Sequence, residues 1–174
     1  LIRSNLPKNK SLIGFVGGPI TLYHFATRHN GNDPSLINPF LETMDNILTS
    51  NINIQLQTDL DLVMIFDTEA NKLSDEDFKS KVIPFVKKQS ERHPHKIGYF
   101  TKNITSSKYE MLKEIIHLKL TVLGSNMDIL NELNKTHLSL QGNFSNELLT
   151  LEDKNKFKSF LGEYINYINN SDSS

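Results

Sequence analysis

The sequence predicts an α/β fold of parallel strand–helix units, on three observations. Five short apolar runs alternate with longer amphipathic stretches. The short runs are continuously apolar rather than alternating, the pattern of strands buried on both faces. Each closes on small or polar residues, as strand ends do where they turn into a loop and helix. Two architectures share this pattern: an open doubly wound sheet, or part of a (β/α)8 barrel. A whole barrel usually takes about 250 residues, and the chain has 174, so the pattern taken alone favours the open sheet.

Leu12–Gly17 (LIGFVG) is the first predicted strand, with a helix from Thr21 and Pro19 just ahead of it. A second helical stretch covers 35–54, with Ile37, Phe40, Leu41, Met44, Ile47 and Leu48 on one face. Leu62–Phe66 (LVMIF) is the second strand. Ser74 then opens a helix, with Asp77 three residues on as its capping partner. That helix buries Phe78, Val82, Phe85 and Val86, and Pro84 inside it predicts a kink or a split. Lys96–Phe100 is the third strand, followed by a helix over 106–117. Leu120–Leu123 is the fourth, followed by a short helix from Met127. His137–Leu140 is the fifth. A last helix over 152–168 aligns Phe157, Phe160, Leu161, Tyr164, Ile165 and Ile168. The expected domain is 1–168, with 169–174 (NNSDSS) as a disordered polar tail.

Composition narrows the function classes. A formal net charge of −1 gives no electrostatic reason to expect nucleic acid or an anionic membrane as partner. With no cysteine, disulfides and thiolate metal sites are excluded, which fits a reducing, cytoplasmic compartment. No apolar run approaches the roughly 18 residues of a membrane span. Neither G-x-G-x-x-G nor a P-loop follows any strand.

In parallel βα folds the carboxyl ends of the strands build the site. Here they carry Gly17-Gly18-Pro19, Asp67-Thr68-Glu69, Thr101-Lys102-Asn103, Gly124-Ser125-Asn126 and Gln141-Gly142-Asn143. Together they predict a polar mouth without naming a ligand. Asp67 and Glu69 are close enough to tune each other's pKa. The favoured reading is a turn in which Asp67 caps backbone groups and Glu69 is solvated. His24 and His29 are five apart, and His93 and His95 flank Pro94, spacings that suit no shared metal. Glu110 and Glu114 share a helix face with Lys113, as a solvated face does.

Three segments then carry a resemblance. LIGFVGGPITL (Leu12–Leu22) resembles a segment reading LIGF-x-G-x-P-x-T-L. DLVMIFDTEANKLSDEDFKSKVIPFVKK (Asp61–Lys88) resembles a strand ending in F-[DE]-[ST] that leads into a helix with a P-[FY] pair. LSLQGNFSNELL (Leu138–Leu149) resembles an LQGN-[LF]-x-P-x-x-L element, with Asn146 at the usual proline. In this order, over most of the chain, the three resemble the middle and later part of the uroporphyrinogen decarboxylase family. That resemblance implies the barrel in place of the open sheet. It implies cofactor-free, metal-free decarboxylation of the acetate side chains of uroporphyrinogen to coproporphyrinogen, in porphyrin and haem biosynthesis. A protonated pyrrole serves as electron sink, an anion sits near the pyrrole nitrogens, and cations hold carboxylates.

The resemblance also sets expectations about what this chain lacks. The family's early arginine-rich segment and early aspartate fall ahead of Leu1, and its late GHG segment falls beyond the matched part. The chain alone is therefore expected to be incomplete and inactive, and to pair with a second copy or a complementing chain. The resemblance places Gly17, Gly18, Phe25, Thr68 and Asn126 as substrate-facing. Phe25 stands at a substrate-contacting tyrosine and loses its hydroxyl. Thr68 keeps a hydroxyl. Asn126 and Met127 replace the aspartate and tryptophan of G-x-D-W. The 22–62 interval is about a helix shorter than the family's. Two other readings stay open: an inactive barrel fragment kept as a scaffold or assembly partner, and a corrinoid-type methyltransferase of the same superfamily. The absence of cysteine weighs against the second, because such relatives hold zinc through His and Cys.

Overall fold

The computed structural model describes residues 2–31, 33–125, 127–133, 135–142, 150 and 152–171. A short helix α1 (Ile2–Asn5) precedes β1 (Ile13–Gly17) and α2 (Pro19–Thr27). Then come α3 (Ile37–Leu56), β2 (Leu62–Phe66), α4 (Asp75–Asp77) and α5 (Ile83–Arg92). The order continues with β3 (Ile97–Phe100), α6 (Ser106–Lys113), β4 (Leu120–Leu123), α7 (Ile129–Leu133), β5 (Ser139–Gly142) and α8 (Lys154–Ser171). The 169–174 tail falls on the end of α8 and on residues outside the described set.

The five strands form one sheet in the order β1-β2-β3-β4-β5, every pairing parallel. A doubly wound sheet reverses its strand order at a switch point, whereas a barrel adds strands sequentially. The preference for an open doubly wound sheet is thus corrected: the arrangement is an arc of a barrel. The core confirms it. Val16, Val63, Ile65, Ile97, Tyr99 and Leu123 all join one buried cluster with Leu48 and Ile52 of α3, Val86 of α5, Leu112 of α6 and Ile129 of α7. Helices therefore cover one face of the sheet. On the other face Ile13 is 50% exposed, Phe15 69% and Phe66 42%. The expectation that both faces are buried fails at these three side chains, while Leu62 and Met64 of β2, on the same face, are buried.

Local chemistry explains the helix boundaries. Pro19 opens α2 at its first turn, where a missing N–H costs nothing. Ser74 Oγ accepts from Asp77 N at 3.1 Å, the predicted cap. Pro84 does split its helix. Between α4 and α5 the backbone makes a π turn over Phe78–Val82, and Ile83 N reaches back five residues to Phe78 O. The widened turn accommodates a proline that cannot donate. The outer edge of β1 is partly covered: Gln55 Nε2 donates to Phe15 O at 2.9 Å. Gly14 permits this, since a Cβ there would lie 2.2 Å from Gln55 Oε1.

Candidate functional site

The face of β1 and β2 that carries Phe15 and Phe66 ends in a concavity of about 610 Å³, lined by Phe15, Val16, Gly17, Thr21, Leu22, Phe25, Phe66 and Thr68. The size suits a small-molecule ligand. Register builds its floor: Gly17 pairs with Phe66, and Phe66 with Phe100. Side chains of like parity in adjacent strands share a face. The rings of Phe15, Phe66 and Phe100 accordingly stack edge-to-face across three strands, with centroids 6.2 Å apart for the first pair and 5.5 Å for the second. Phe25, 61% exposed, closes one side from α2.

Of the five residues named from the sequence, the structure brings Gly17, Phe25 and Thr68 into this concavity. Gly18 lies behind it: it is buried, and a Cβ there would sit 2.2 Å from Asp67 Cβ. Asn126 lies outside the described residues. The expected polar mouth is corrected at this end of the sheet, where the lining is mainly aromatic and aliphatic, with Thr21 and Thr68 as its polar residues. Asp67 and Thr101 point elsewhere: both are buried, and they share the parity of Ile65 and Tyr99 in the helix-side core. Sequence reasoning missed Phe15, Leu22 and Phe66. Their signal was strand parity, Ile13–Phe15–Gly17, hidden in a run that is apolar at every position.

Asp67 is the hinge of this construction. Its Oδ1 accepts from Thr21 N at 2.7 Å, and its Oδ2 accepts from Tyr99 OH at 3.4 Å. Thr21 Oγ1 in turn accepts from Glu69 N at 3.0 Å. A carboxylate from the end of β2 thus satisfies the open first turn of α2, the capping role read from the sequence. Glu69 pairs with Lys72 at 2.5 Å. The loop beyond is held by Lys108, whose Nζ donates to Asn71 O at 2.7 Å and Leu73 O at 2.6 Å. Burial pushes this lysine's pKa down. Thr68 and Phe25 are therefore presented on a fixed frame.

Burial raises the Asp67 pKa to about 6, against the opposing effect of its hydrogen bonds from Thr21, Ile20 and Tyr99. An unfolded aspartate titrates near 3.9, so the folded state binds the extra proton between those values. Its stabilising contribution is complete below the unfolded pKa and is lost as pH rises through about 6. The expected loss is about 3 kcal/mol over that window. Urea unfolding at pH 4.5 and pH 7 checks it: Asp67→Asn should flatten the difference seen in the parent chain. Parallel pH profiles would show that Asp67 stays ionised.

Sequentially ordered parallel strands with helices on one face and a concavity at the strands' carboxyl ends define this as a (β/α)-barrel protein. The uroporphyrinogen decarboxylase (URO-D) family model matches residues 1–172, and the chain belongs to that family. Among proteins named uroporphyrinogen decarboxylase, it is 26% identical to that of Chlorobium phaeobacteroides over 171 residues, 86% of this chain and 47% of the relative. It is 27% identical to that of Chloroherpeton thalassium over 110 residues, 54% of this chain and 31% of the relative. To that of Helicobacter acinonychis it is 31% identical over 111 residues, 53% and 33%. The chain spans about a third to a half of the length of these relatives. No helix among the described residues is long and apolar enough to cross a membrane.

Proposed function

We propose that this chain supplies one wall of a porphyrinogen site in a uroporphyrinogen decarboxylase-like lyase, which removes acetate carboxyl groups as CO2 to give coproporphyrinogen. The observation that carries the reading is the aromatic concavity at the ends of β1 and β2, in a member of this family. Phe15, Phe66 and Phe25 offer ring faces and edges against which a flat or domed macrocycle packs. Thr68 offers a hydroxyl. Gly17 keeps the floor low enough for approach, and Asn126 completes the proposed substrate-facing set with Gly18 behind it. The proposed reaction uses no cofactor and no metal.

Phe25→Tyr tests it. A phenol hydroxyl at this rim adds a donor for a substrate carboxylate, so porphyrin affinity should rise about threefold to tenfold. Fluorescence titration with uroporphyrin, the oxidised and stable form of the macrocycle, measures this. No binding by the parent chain, or no change at Phe25, contradicts the reading.

A second reading is favoured by one observation: no side chain lining the concavity is ionisable. On that reading the chain is an inactive barrel segment acting as scaffold or assembly partner. Both readings leave the outer edge of β1 to be paired. Leu12 O and Gly18 N face β2, so the backbone groups of Ile13, Phe15 and Gly17 face outward, and Gln55 occupies Phe15 O. We propose that a second copy or a complementing chain pairs there. Sedimentation at low micromolar concentration should show association, and a compact monomer throughout would oppose it.

A further inference from the structure

We propose that Arg28 is a carboxylate anchor at the rim of the concavity, a specificity-determining residue that selects macrocycles with acidic side chains; the inference rests on the porphyrinogen reading of the site. Leu22, Phe25 and Arg28 follow one another at three-residue steps along α2 and the 3-10 turn Arg28–Asn30 that continues it. Residues so spaced are neighbours on one helix face. Leu22 and Phe25 line the concavity, and the Arg28 guanidinium carbon lies 5.9 Å from the centroid of the Phe25 ring. The guanidinium is thus held against a wall of the site by a cation–π contact.

The charge there is available. Arg28 is exposed, and its Nε donates to His29 Nε2 at 3.3 Å. Among the described residues it forms no ion pair with a carboxylate. Nothing lining the concavity carries charge, so the floor recognises a ring system without regard to what surrounds it. Arginine suits both tasks together: its plane stacks on an aromatic face while its edge presents paired N–H donors to a carboxylate. A macrocycle lying against Phe15 and Phe66 brings its periphery toward Phe25. A carboxylated substituent there meets the guanidinium, and an uncharged or cationic one does not.

The test uses the full 174-residue chain with two probes, uroporphyrin and a cationic porphyrin bearing N-methylpyridinium groups. At low salt Arg28→Ala should weaken uroporphyrin binding about threefold to tenfold. Arg28→Glu should weaken it further, and Arg28→Lys should recover part of the loss. The salt dependence of binding should flatten in Arg28→Ala, and the cationic porphyrin should bind the variants at least as well as the parent. Unchanged uroporphyrin affinity in Arg28→Ala and Arg28→Glu, with affinity lost in Phe15→Ala or Phe66→Ala, overturns the anchor and leaves the site standing. Equal losses for both porphyrins assign the effect to packing and overturn it too. A parent chain without uroporphyrin affinity removes the site reading, and the anchor with it.

Discussion

Incubated anaerobically with uroporphyrinogen, the 174-residue chain is expected to release no measurable coproporphyrinogen. Decarboxylation needs a proton delivered to the pyrrole, an anion to stabilise the cationic ring that results, and a proton to replace the departing CO2. The concavity is lined by phenylalanines, aliphatic residues, Gly17 and two threonines, none of which titrates in the required range. Two acids flank Thr68 in sequence: Glu69 pairs with Lys72, and Asp67 is wholly buried and accepts from Thr21 N and Tyr99 OH. It caps α2 and does not face the concavity. Removing one preorganised charge-stabilising group typically costs about 10²- to 10³-fold in rate, and here both the anion and the proton donor would have to come from elsewhere. Product analysis of the aerobically oxidised porphyrins decides the matter. Coproporphyrin formed at an ordinary enzymatic rate would mean that a side chain of this protein performs acid–base work not assigned to it.

The strands were legible because they are short, apolar and punctuated by turn residues. β2 and β4 begin and end as the periodicity predicts, β1 and β3 start one residue late, and β5 lies two residues further on, at Ser139–Gly142. That shift has a plain cause. Ladder pairing uses backbone groups, so Gln141 and Gly142 join β4 as readily as apolar residues do. Strand order was not legible from periodicity, because a doubly wound sheet and a barrel repeat the same βα unit; only the three resembling segments pointed to the barrel. The site divided in the same way. Thr68 and Phe25 could be placed by motif, whereas Phe15 and Phe66 could not, since a run apolar at every position conceals which residues lie on which face. The capping role of Asp67 was readable from its place after a strand. Its target, the first turn of α2, lies 46 positions away and exists only once the sheet has formed.

Gly18 shows how a residue read as part of the mouth serves the frame behind it. Its φ of −74° and ψ of 155° are open to any residue, so backbone freedom does not require glycine here. Space does. A Cβ would lie 2.2 Å from Asp67 Cβ and 2.3 Å from Asp67 Cγ, and the first of these atoms is anchored directly to the end of β2. The same close approach lets Gly18 N donate to Phe66 O at 2.7 Å and brings Thr21 N within 2.7 Å of Asp67 Oδ1. In Gly18→Ala, α2 must lift from β2, adding overpacking to the loss of buried hydrogen bonds; the expected destabilisation is about 3–5 kcal/mol. For a chain of this length that lowers Tm by about 6–20 °C. Because Leu22 and Phe25 ride on α2, uroporphyrin affinity should fall in the same variant, measured below its own unfolding transition. Asp67→Gly removes the obstructing Cβ, so in a double-mutant cycle it should cost less in the Gly18→Ala background than in the parent chain. Thermal unfolding of the four proteins gives the answer: a Gly18→Ala chain within half a kilocalorie of the parent, or strictly additive changes, would show that α2 is not held against β2 by this contact.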